Sequence, residues 1–261
     1  MRLPADDPTA DPTVRRAASV REDGGRPEEG AGLRAVLWDM DGTLVDTEPY
    51  WITAERELVE RFGGVWTHEQ AMRLVGQALP TSARLLQDGG VELGVREIID
   101  TLTARVVEQL GEAVPWRPGA RDLLAALRAR GVECALVTMS EAPMAHRIVD
   151  HLPEGTFTAV VTGDSVSRGK PDPEPYRLGF ERLAHSVPGL ALAECVAIED
   201  SVPGATSAVA AGLATVVVPN ALAVPVHLGA RHWETLEGRT PGDLAAALRA
   251  SLATAQAGST A

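Results

Sequence analysis

Short apolar runs alternate with amphipathic segments along most of the chain, from residue 33 to residue 252. Apolar runs bounded by glycine, proline and polar residues predict buried parallel strands, and the segments between them predict helices. We therefore expect an α/β fold, a Rossmann-like, doubly wound parallel sheet with helices on both faces. The predicted strands are 35–38, 132–138, 157–162, 195–198 and 214–218, with a further short strand at 233–236.

One interval interrupts the alternation. Residues 48–116 show helical periodicity and no strand pattern, and prolines flank the interval on both sides. We predict an inserted all-helical cap domain here, with residues 33–47 and 117–252 forming the core around it. The predicted helices are 47–62, 67–74, 82–86 and 95–110 in the insertion, then 120–130, 142–151, 174–184, 204–211 and 241–252 in the core.

The two ends of the chain differ from the middle in composition. Residues 1–32 are rich in Asp, Glu, Arg, Gly and Pro and contain almost no large apolar residue. Such a segment buries too little surface to offset its ordering entropy, so we predict a disordered tail. The Ala/Thr/Ser-rich segment 253–261 is predicted to fray.

Composition and charge exclude several classes of partner. The apolar content of 45% is typical of a folded domain, and the net charge of −12 argues against nucleic acid, whose phosphates require clustered Lys and Arg. The longest uncharged stretch, 202–230, is broken by prolines, which argues against a membrane span. Cys134 and Cys195 lie in apolar runs and are expected to be buried thiols. With no signal peptide visible, we expect a cytoplasmic protein, and a monomer by default.

The first predicted strand ends in two carboxylates. Ala35 to Trp38 is followed by Asp39, Asp41 and Gly42. Close, buried carboxylates repel one another, and a divalent cation with oxygen ligands would relieve that cost. An ordinary Asp/Gly turn after a strand explains the same residues, so this fragment alone leaves both interpretations open.

Polar residues also follow the later strands. Thr138, followed by Ser140, ends the second strand, Lys170 lies in a loop after the third, and Glu199 and Asp200 end the fourth. Taken singly, each has an ordinary explanation as a helix cap or a surface side chain. Because ligands bind at the carboxyl ends of the strands in an open parallel sheet, we expect these groups to converge.

These residues resemble the four motifs of the haloacid dehalogenase-like superfamily, in order. Asp39-Met-Asp-Gly-Thr43 is similar to the first motif, Thr138 to the second, Lys170 in Gly-Lys-Pro-Asp to the third, and Glu199-Asp200 to the fourth. The helical interval falls where phosphatases of this superfamily carry a cap domain. The resemblance covers roughly residues 33–236.

The resemblance implies a role for each matched residue. Asp39 would be the nucleophile that forms an aspartyl-phosphate, and Asp41 the general acid and base. Mg²⁺ would be held by Asp39, the backbone carbonyl of Asp41 and Asp200. Lys170 would offset negative charge, and Thr138 would donate to a phosphate oxygen. The supporting residues would be Thr43 and Glu199, the latter orienting Lys170 or a metal-bound water.

The resemblance also favours one reaction. Dehalogenases lack an aspartate where this chain has Asp41, so phosphoryl transfer is favoured. A small phosphomonoester, a sugar or polyol phosphate, is the expected substrate. β-Phosphoglucomutase-like enzymes carry a histidine at the position of Trp51 and a lysine at that of Val75, which disfavours the mutase alternative. A non-catalytic binding or regulatory protein is the second alternative.

Four residues are predicted to contact substrate from the cap side of the crevice. A role as a buried aromatic at the hinge explains Trp51 equally well, and a purely structural role likewise stays open for Gln77. The four residues are Glu48, Trp51, Gly76 and Gln77.

Overall fold

The computed structural model describes residues 32–258, and its centre is a six-stranded parallel sheet in the order β3-β2-β1-β4-β5-β6. Every neighbouring pair of strands runs parallel, as the apolar runs predict. The strands are β1 (Ala35–Trp38), β2 (Glu133–Val137), β3 (Ala159–Val161), β4 (Cys195–Glu199), β5 (Ala214–Val217) and β6 (Arg231–His232).

Nine α-helices connect or flank these strands within residues 32–258. The four in the insertion are α1 (Glu48–Arg61), α2 (His68–Met72), α3 (Leu79–Asp88) and α4 (Val95–Glu112). The five in the core are α5 (Ala120–Ala129), α6 (Ala142–Val149), α7 (Glu174–Ser186), α8 (Val202–Ala210) and α9 (Pro241–Gly258). Across this part of the chain, no helix combines the length and apolarity needed to cross a bilayer.

The sheet has apolar cores on both faces because successive side chains of a strand point to opposite sides. In β1, Val36 and Trp38 belong to one buried cluster, together with residues of α5, α6 and α9. Ala35 and Leu37 belong to another, with residues of α7 and α8. The prediction of a doubly wound sheet is therefore confirmed.

The strand order creates a crevice beside β1. The chain passes from β1 outward to β2 and β3, then crosses to β4 on the other side of β1. The connections thus diverge from β1, leaving a gap between loops at the carboxyl ends of β1 and β4. Asp39 and Asp200, which directly follow these strands, lie at this gap.

The insertion is helical throughout, as its sequence pattern predicts. Its helix α4 packs against α1 and α3, and also against α6 of the core. A bidentate ion pair joins Arg96 of α4 to Glu141, the residue before α6, at 2.6 and 2.7 Å. The insertion therefore contacts the core directly above the strand ends.

The last strand and the last helix differ from their predicted bounds, and α3 (Leu79–Asp88) is longer than the predicted 82–86. The last strand consists of Arg231 and His232, not 233–236; Trp233 and Leu236 are instead buried in the core as loop residues. A strand at the edge of a sheet forms through backbone hydrogen bonds and does not require apolar side chains. The apolar pattern therefore pointed to the buried loop that follows the strand. Helix α9 continues to Gly258, beyond 252 and into the segment that was predicted to fray, because the alanines and Gln256 favour helix. The predicted tail 1–32 lies outside the described residues, apart from Gly32.

Gly119 provides a test of the packing between α5 and the loop before α9. Its φ is 78°, and a Cβ there would lie 2.2 Å from the carbonyl oxygen of Leu236. Gly131 also has positive φ, 66°, but nothing lies within 4 Å of the corresponding position. We expect Gly131→Ala to lower the free energy of unfolding by about 1–2 kcal/mol, from backbone conformation alone. Gly119→Ala should cost about 2–5 kcal/mol, because a clash with backbone is added.

Urea unfolding of the full chain measures both losses. Equal losses for the two variants would contradict the assigned contact.

Candidate active site

The ends of three parallel strands bring four of the predicted site residues together. Asp39 follows β1, Glu199 ends β4 and Asp200 follows it, while Lys170 lies on the loop between β3 and α7. All four side chains are buried. The convergence predicted from the strand ends is therefore present in the structure.

Lys170 is the cation of this site. Its Nζ donates to Asp39 Oδ1 at 2.7 Å, to Glu199 Oε1 at 2.6 Å and to the carbonyl oxygen of Val137 at 2.9 Å. Burial alone would lower the pKa of Lys170, but the charges of Asp39 and Glu199 outweigh burial and raise that pKa above its ordinary value. The ammonium group is therefore charged, with all three hydrogens engaged.

Glu199 is held by contacts on both carboxylate oxygens. Oε1 also accepts a hydrogen bond from Tyr176 Oη at 2.6 Å, and Oε2 accepts one from the backbone N–H of Asp200 at 3.2 Å. A Cβ at Gly204 would lie 1.9 Å from Oε2, so the start of α8 must pass close to this carboxylate. Tyr176, whose ring centre lies 5.0 Å from Lys170 Nζ, was not predicted.

Three carboxylates form a compact acidic cluster. Oxygens of Asp39, Glu199 and Asp200 lie within 4.8 Å of one another. Burial, and then the charge of Glu199, raises the pKa of Asp39 to about 7. Burial and the charge of Asp39 likewise raise the pKa of Asp200. One lysine thus leaves this cluster short of positive charge.

The cluster has the features of a divalent cation site. Within residues 32–258, the buried Oδ2 atom of Asp39 has no hydrogen-bond partner. Gly42 has a φ of 91°, and a Cβ there would lie 2.0 Å from an Asp200 oxygen, so the turn leaves room only for that carboxylate. Hard oxygen donors, excess negative charge and an unpartnered carboxylate oxygen fit Mg²⁺.

Asp41 has different surroundings, although only Met40 separates it from Asp39. Its Oδ1 accepts from Thr47 Oγ1 at 2.5 Å, and its Oδ2 from Ser140 Oγ at 2.7 Å and Thr138 Oγ1 at 3.1 Å. Thr138, expected to face a phosphate, thus contacts Asp41 in this structure. Thr47 and Ser140 were not assigned roles from sequence, since a lone hydroxyl carries little signal.

A cleft opens above these groups, between the strand ends and the insertion. Its floor includes Asp39, Asp41, Lys170 and Asp200. All four predicted substrate-contacting residues line its other side: Glu48, Trp51, Gly76 and Gln77. Sequence analysis missed other lining residues, among them Glu55, Ser82, Met139 and Ser201.

Comparison with known protein families agrees with this geometry. Residues 33–212 match the family model described as haloacid dehalogenase-like hydrolase. The matched segment starts before β1 and ends after α8, so it contains all four motif positions. The chain belongs to the haloacid dehalogenase-like hydrolase family.

Individual relatives and solved structures are similar over most of their length. The chain is 32% identical to the phosphorylated carbohydrates phosphatase of Thermotoga maritima, covering 69% of this chain and 82% of the relative. It is 33% identical to hexitol phosphatase A of Escherichia coli, over 71% and 82%. The crystal structure of CbbY from Rhodobacter sphaeroides with phosphate superimposes with a TM-score of 0.72 at 28% identity, over 81% and 99%.

Thr43, the remaining predicted residue of this hydrolase site, lies in the turn after β1. Its side chain is buried, and within the described part of the chain its Oγ1 has no hydrogen-bond partner. Thr43 therefore lies beside the site, and no contact with Asp39 or Asp41 is seen for its hydroxyl.

The insertion contributes two acids with unusual surroundings. Burial, followed by the charges of Asp41 and Asp46, raises the pKa of Glu48 to about 7. Burial raises the pKa of Glu55 to about 8, while the hydrogen bond from Trp66 Nε1, at 3.2 Å, opposes part of that shift. Both side chains therefore bind protons more readily in the folded chain than in the unfolded chain.

The raised pKa of Glu55 makes a prediction about stability. The folded state keeps a proton that the unfolded state releases between pH 4.5 and 8, so this group's contribution to the free energy of unfolding falls as pH rises through that window. Glu55→Gln keeps the uncharged form. The free energy of unfolding of the variant, measured relative to that of the original chain, should therefore rise by up to about 4 kcal/mol between pH 5 and pH 9.

Urea unfolding at pH 5 and pH 9 in metal-free buffer tests this gain. Glu57→Gln is the matched control on α1, because the hydrogen bond from Arg105 lowers the pKa of Glu57. The stabilising effect of ionised Glu57 is lost only as pH falls below about 4.5. Glu57→Gln should therefore change the free energy of unfolding by the same amount at pH 5 and at pH 9. If Glu55→Gln changed the free energy of unfolding equally at both pH values, the raised pKa of Glu55 would be refuted.

Proposed function

We propose that the protein is a Mg²⁺-dependent phosphatase that hydrolyses a small sugar or polyol phosphate through an aspartyl-phosphate. The observation that supports this most directly is the separation of two neighbouring aspartates. Asp39 is paired with Lys170 and faces the acidic cluster, while Asp41 is surrounded by hydroxyls at the same cleft floor. Phosphatases among the relatives support the same reaction class.

Asp39 acts as the nucleophile in this proposal. Lys170 holds Oδ1 and leaves Oδ2 without a partner among the described residues. A carboxylate oxygen of Asp39 attacks phosphorus, an O–P bond forms, and the bond from phosphorus to the substrate oxygen breaks. Water then attacks the aspartyl-phosphate, releasing inorganic phosphate and restoring the carboxylate.

Asp41 moves the proton in both steps. Its acid form protonates the departing alkoxide, and the resulting carboxylate accepts a proton from the attacking water. A hydroxyl can donate to a carboxylate or accept from a carboxylic acid by rotating. Thr47, Thr138 and Ser140 therefore keep the Asp41 side chain in one place through both protonation states.

The acidic cluster is the proposed magnesium site. Asp39, Asp200 and the backbone carbonyl of Asp41 are the residues that would hold the ion. A bound Mg²⁺ supplies positive charge that lets the anionic nucleophile and the anionic phosphate approach. Glu199 has both oxygens engaged by protein donors, so we assign it to positioning Lys170 rather than to metal binding.

We further propose that residues 48–116 are a cap over residues 33–47 and 117–252. The cleft runs between these parts, which supports a role for the cap side in substrate selection. Trp51 and Val75 line the cleft at the positions where mutases of this branch carry histidine and lysine. This difference favours hydrolysis over transfer of the phosphoryl group back to the sugar. The free, buried thiols of Cys134 and Cys195 agree with a cytoplasmic location. A monomeric state stays a prediction.

Replacing the nucleophile tests the reaction. Asp39→Asn keeps the shape of the side chain and removes its nucleophilic charge, so Mg²⁺-dependent hydrolysis of 4-nitrophenyl phosphate should fall on the order of 10³-fold or more. Asp122→Asn, an exposed position on α5, is the control and should retain activity. Substantial turnover by Asp39→Asn would remove Asp39 from this role.

Magnesium binding is testable without turnover. A ligand that binds only the folded state raises stability by mass action, so 10 mM MgCl₂ should raise the Tm of the metal-free protein by about 3–8 °C. Asp200→Asn should abolish most of that rise, and Asp122→Asn should keep it. NaCl at matched ionic strength corrects for screening. An undiminished rise in Asp200→Asn would place the ion elsewhere.

A further inference from the structure

The insertion presents one face of α1 to the cleft. Glu48, Trp51 and Glu55 are spaced three and four residues apart, so they lie along the same side of this helix, and all three line the cleft. Gln77 and Ser82 add polar groups nearby. This glutamate–tryptophan–glutamate stripe is the surface that a substrate meets beyond its phosphate.

Positive charge in the cleft is confined to its floor. Among the described residues that line the cleft, Lys170 is the only cation, and Asp39 and Glu199 already engage it. No arginine, histidine or lysine of the insertion reaches the lining within this part of the chain. As far as residues 32–258 show, the cap side has carboxyl groups and no basic group to pair with an anion.

We propose that the cap side of the cleft binds an uncharged, hydroxyl-bearing part of the substrate and excludes a second phosphate or a carboxylate. The proposal rests on the phosphatase function proposed above and specifies its substrate: a polyol or sugar monophosphate without another anionic group.

The chemistry of the stripe favours hydroxyl groups. A carboxylate accepts hydrogen bonds from hydroxyls, and a carboxylic acid both donates and accepts, so Glu48 and Glu55 bind hydroxyls in either protonation state. The Trp51 ring offers an apolar surface for the C–H bonds of a sugar or polyol. These groups complement a molecule that alternates hydroxyls and C–H bonds.

A second anion has no complementary group there. It would be removed from water beside Glu48 and Glu55 without a cation, and an unpaired charge in such a place is strongly disfavoured. Proton uptake by both glutamates would reduce the repulsion, but it would leave the anion without a counter-charge. Exclusion therefore follows from the missing cation as well as from the acids.

Substrates of matched length test this exclusion. Glucitol 6-phosphate and 6-phosphogluconate share six carbons and one phosphate, and differ at the far end by a hydroxyl against a carboxylate. Fructose 1,6-bisphosphate adds a phosphate instead. With Mg²⁺ at pH 8, we expect kcat/KM for glucitol 6-phosphate to exceed that for either anionic compound by 30-fold or more. Turnover of 4-nitrophenyl phosphate reports the reaction independently of the far end.

A charge change on the stripe should reverse the preference. Glu48→Arg supplies the missing cation, and the ratio of kcat/KM for 6-phosphogluconate to that for glucitol 6-phosphate should rise at least 10-fold. Glu60→Arg, on the exposed side of α1, is the matched control and should leave the ratio unchanged. A neutral change, Glu48→Gln, should raise the ratio less than the arginine does.

The outcomes separate the two proposals. Equal use of the neutral and anionic six-carbon compounds, or no use of glucitol 6-phosphate alongside turnover of 4-nitrophenyl phosphate, would overturn the exclusion and leave the phosphatase function standing. An unchanged ratio in Glu48→Arg, in a variant that still hydrolyses 4-nitrophenyl phosphate, would also overturn it. Failure to hydrolyse any of these compounds would overturn both proposals.

Discussion

The buried ammonium of Lys170 is the interaction on which the site depends. It lies between Asp39 and Glu199 and also contacts the backbone at the end of β2. Without it, three adjacent buried carboxylates would face one another with no positive charge among them. The contact links the loop after β3 to the ends of β1 and β4. Removing one partner of a buried ion pair typically lowers the free energy of unfolding by about 3–5 kcal/mol, so this link is strong.

The choice of lysine is specific to this position. The chain has 24 lysine and arginine residues, and Lys170 is the only lysine. Arginine forms planar, bidentate ion pairs, as Arg96 does with Glu141. A guanidinium is planar, whereas an ammonium directs its three hydrogens around a single atom. The three acceptors around Lys170 match the second arrangement.

Much of the fold and of the cleft floor could be predicted because strand ends carry strong local signals. Apolar runs that stop at charged residues located Asp39 and Asp200, and the Gly-Lys-Pro-Asp loop after the third strand located Lys170. The groups that were missed act through tertiary contacts that sequence spacing does not reveal. Tyr176 looks like an ordinary apolar residue of α7, and nothing near it in sequence indicates Glu199 as its partner. Glu55 resembles any other charged position of an amphipathic helix until α1 is placed against the cleft.

The two sides of the cleft differ in how negative charge is compensated, and this difference orients a ligand. At the floor, Lys170 and the proposed ion offset Asp39 and Asp200, so a phosphate is stabilised there. On the cap side, burial raises the pKa values of Glu48 and Glu55, and no cation among the described cleft-lining residues of the insertion opposes that effect. We therefore expect a monophosphate to bind in one direction only, with its phosphate at the floor and its hydroxyls toward α1. The distribution of charge selects that direction without requiring a basic residue in the cap.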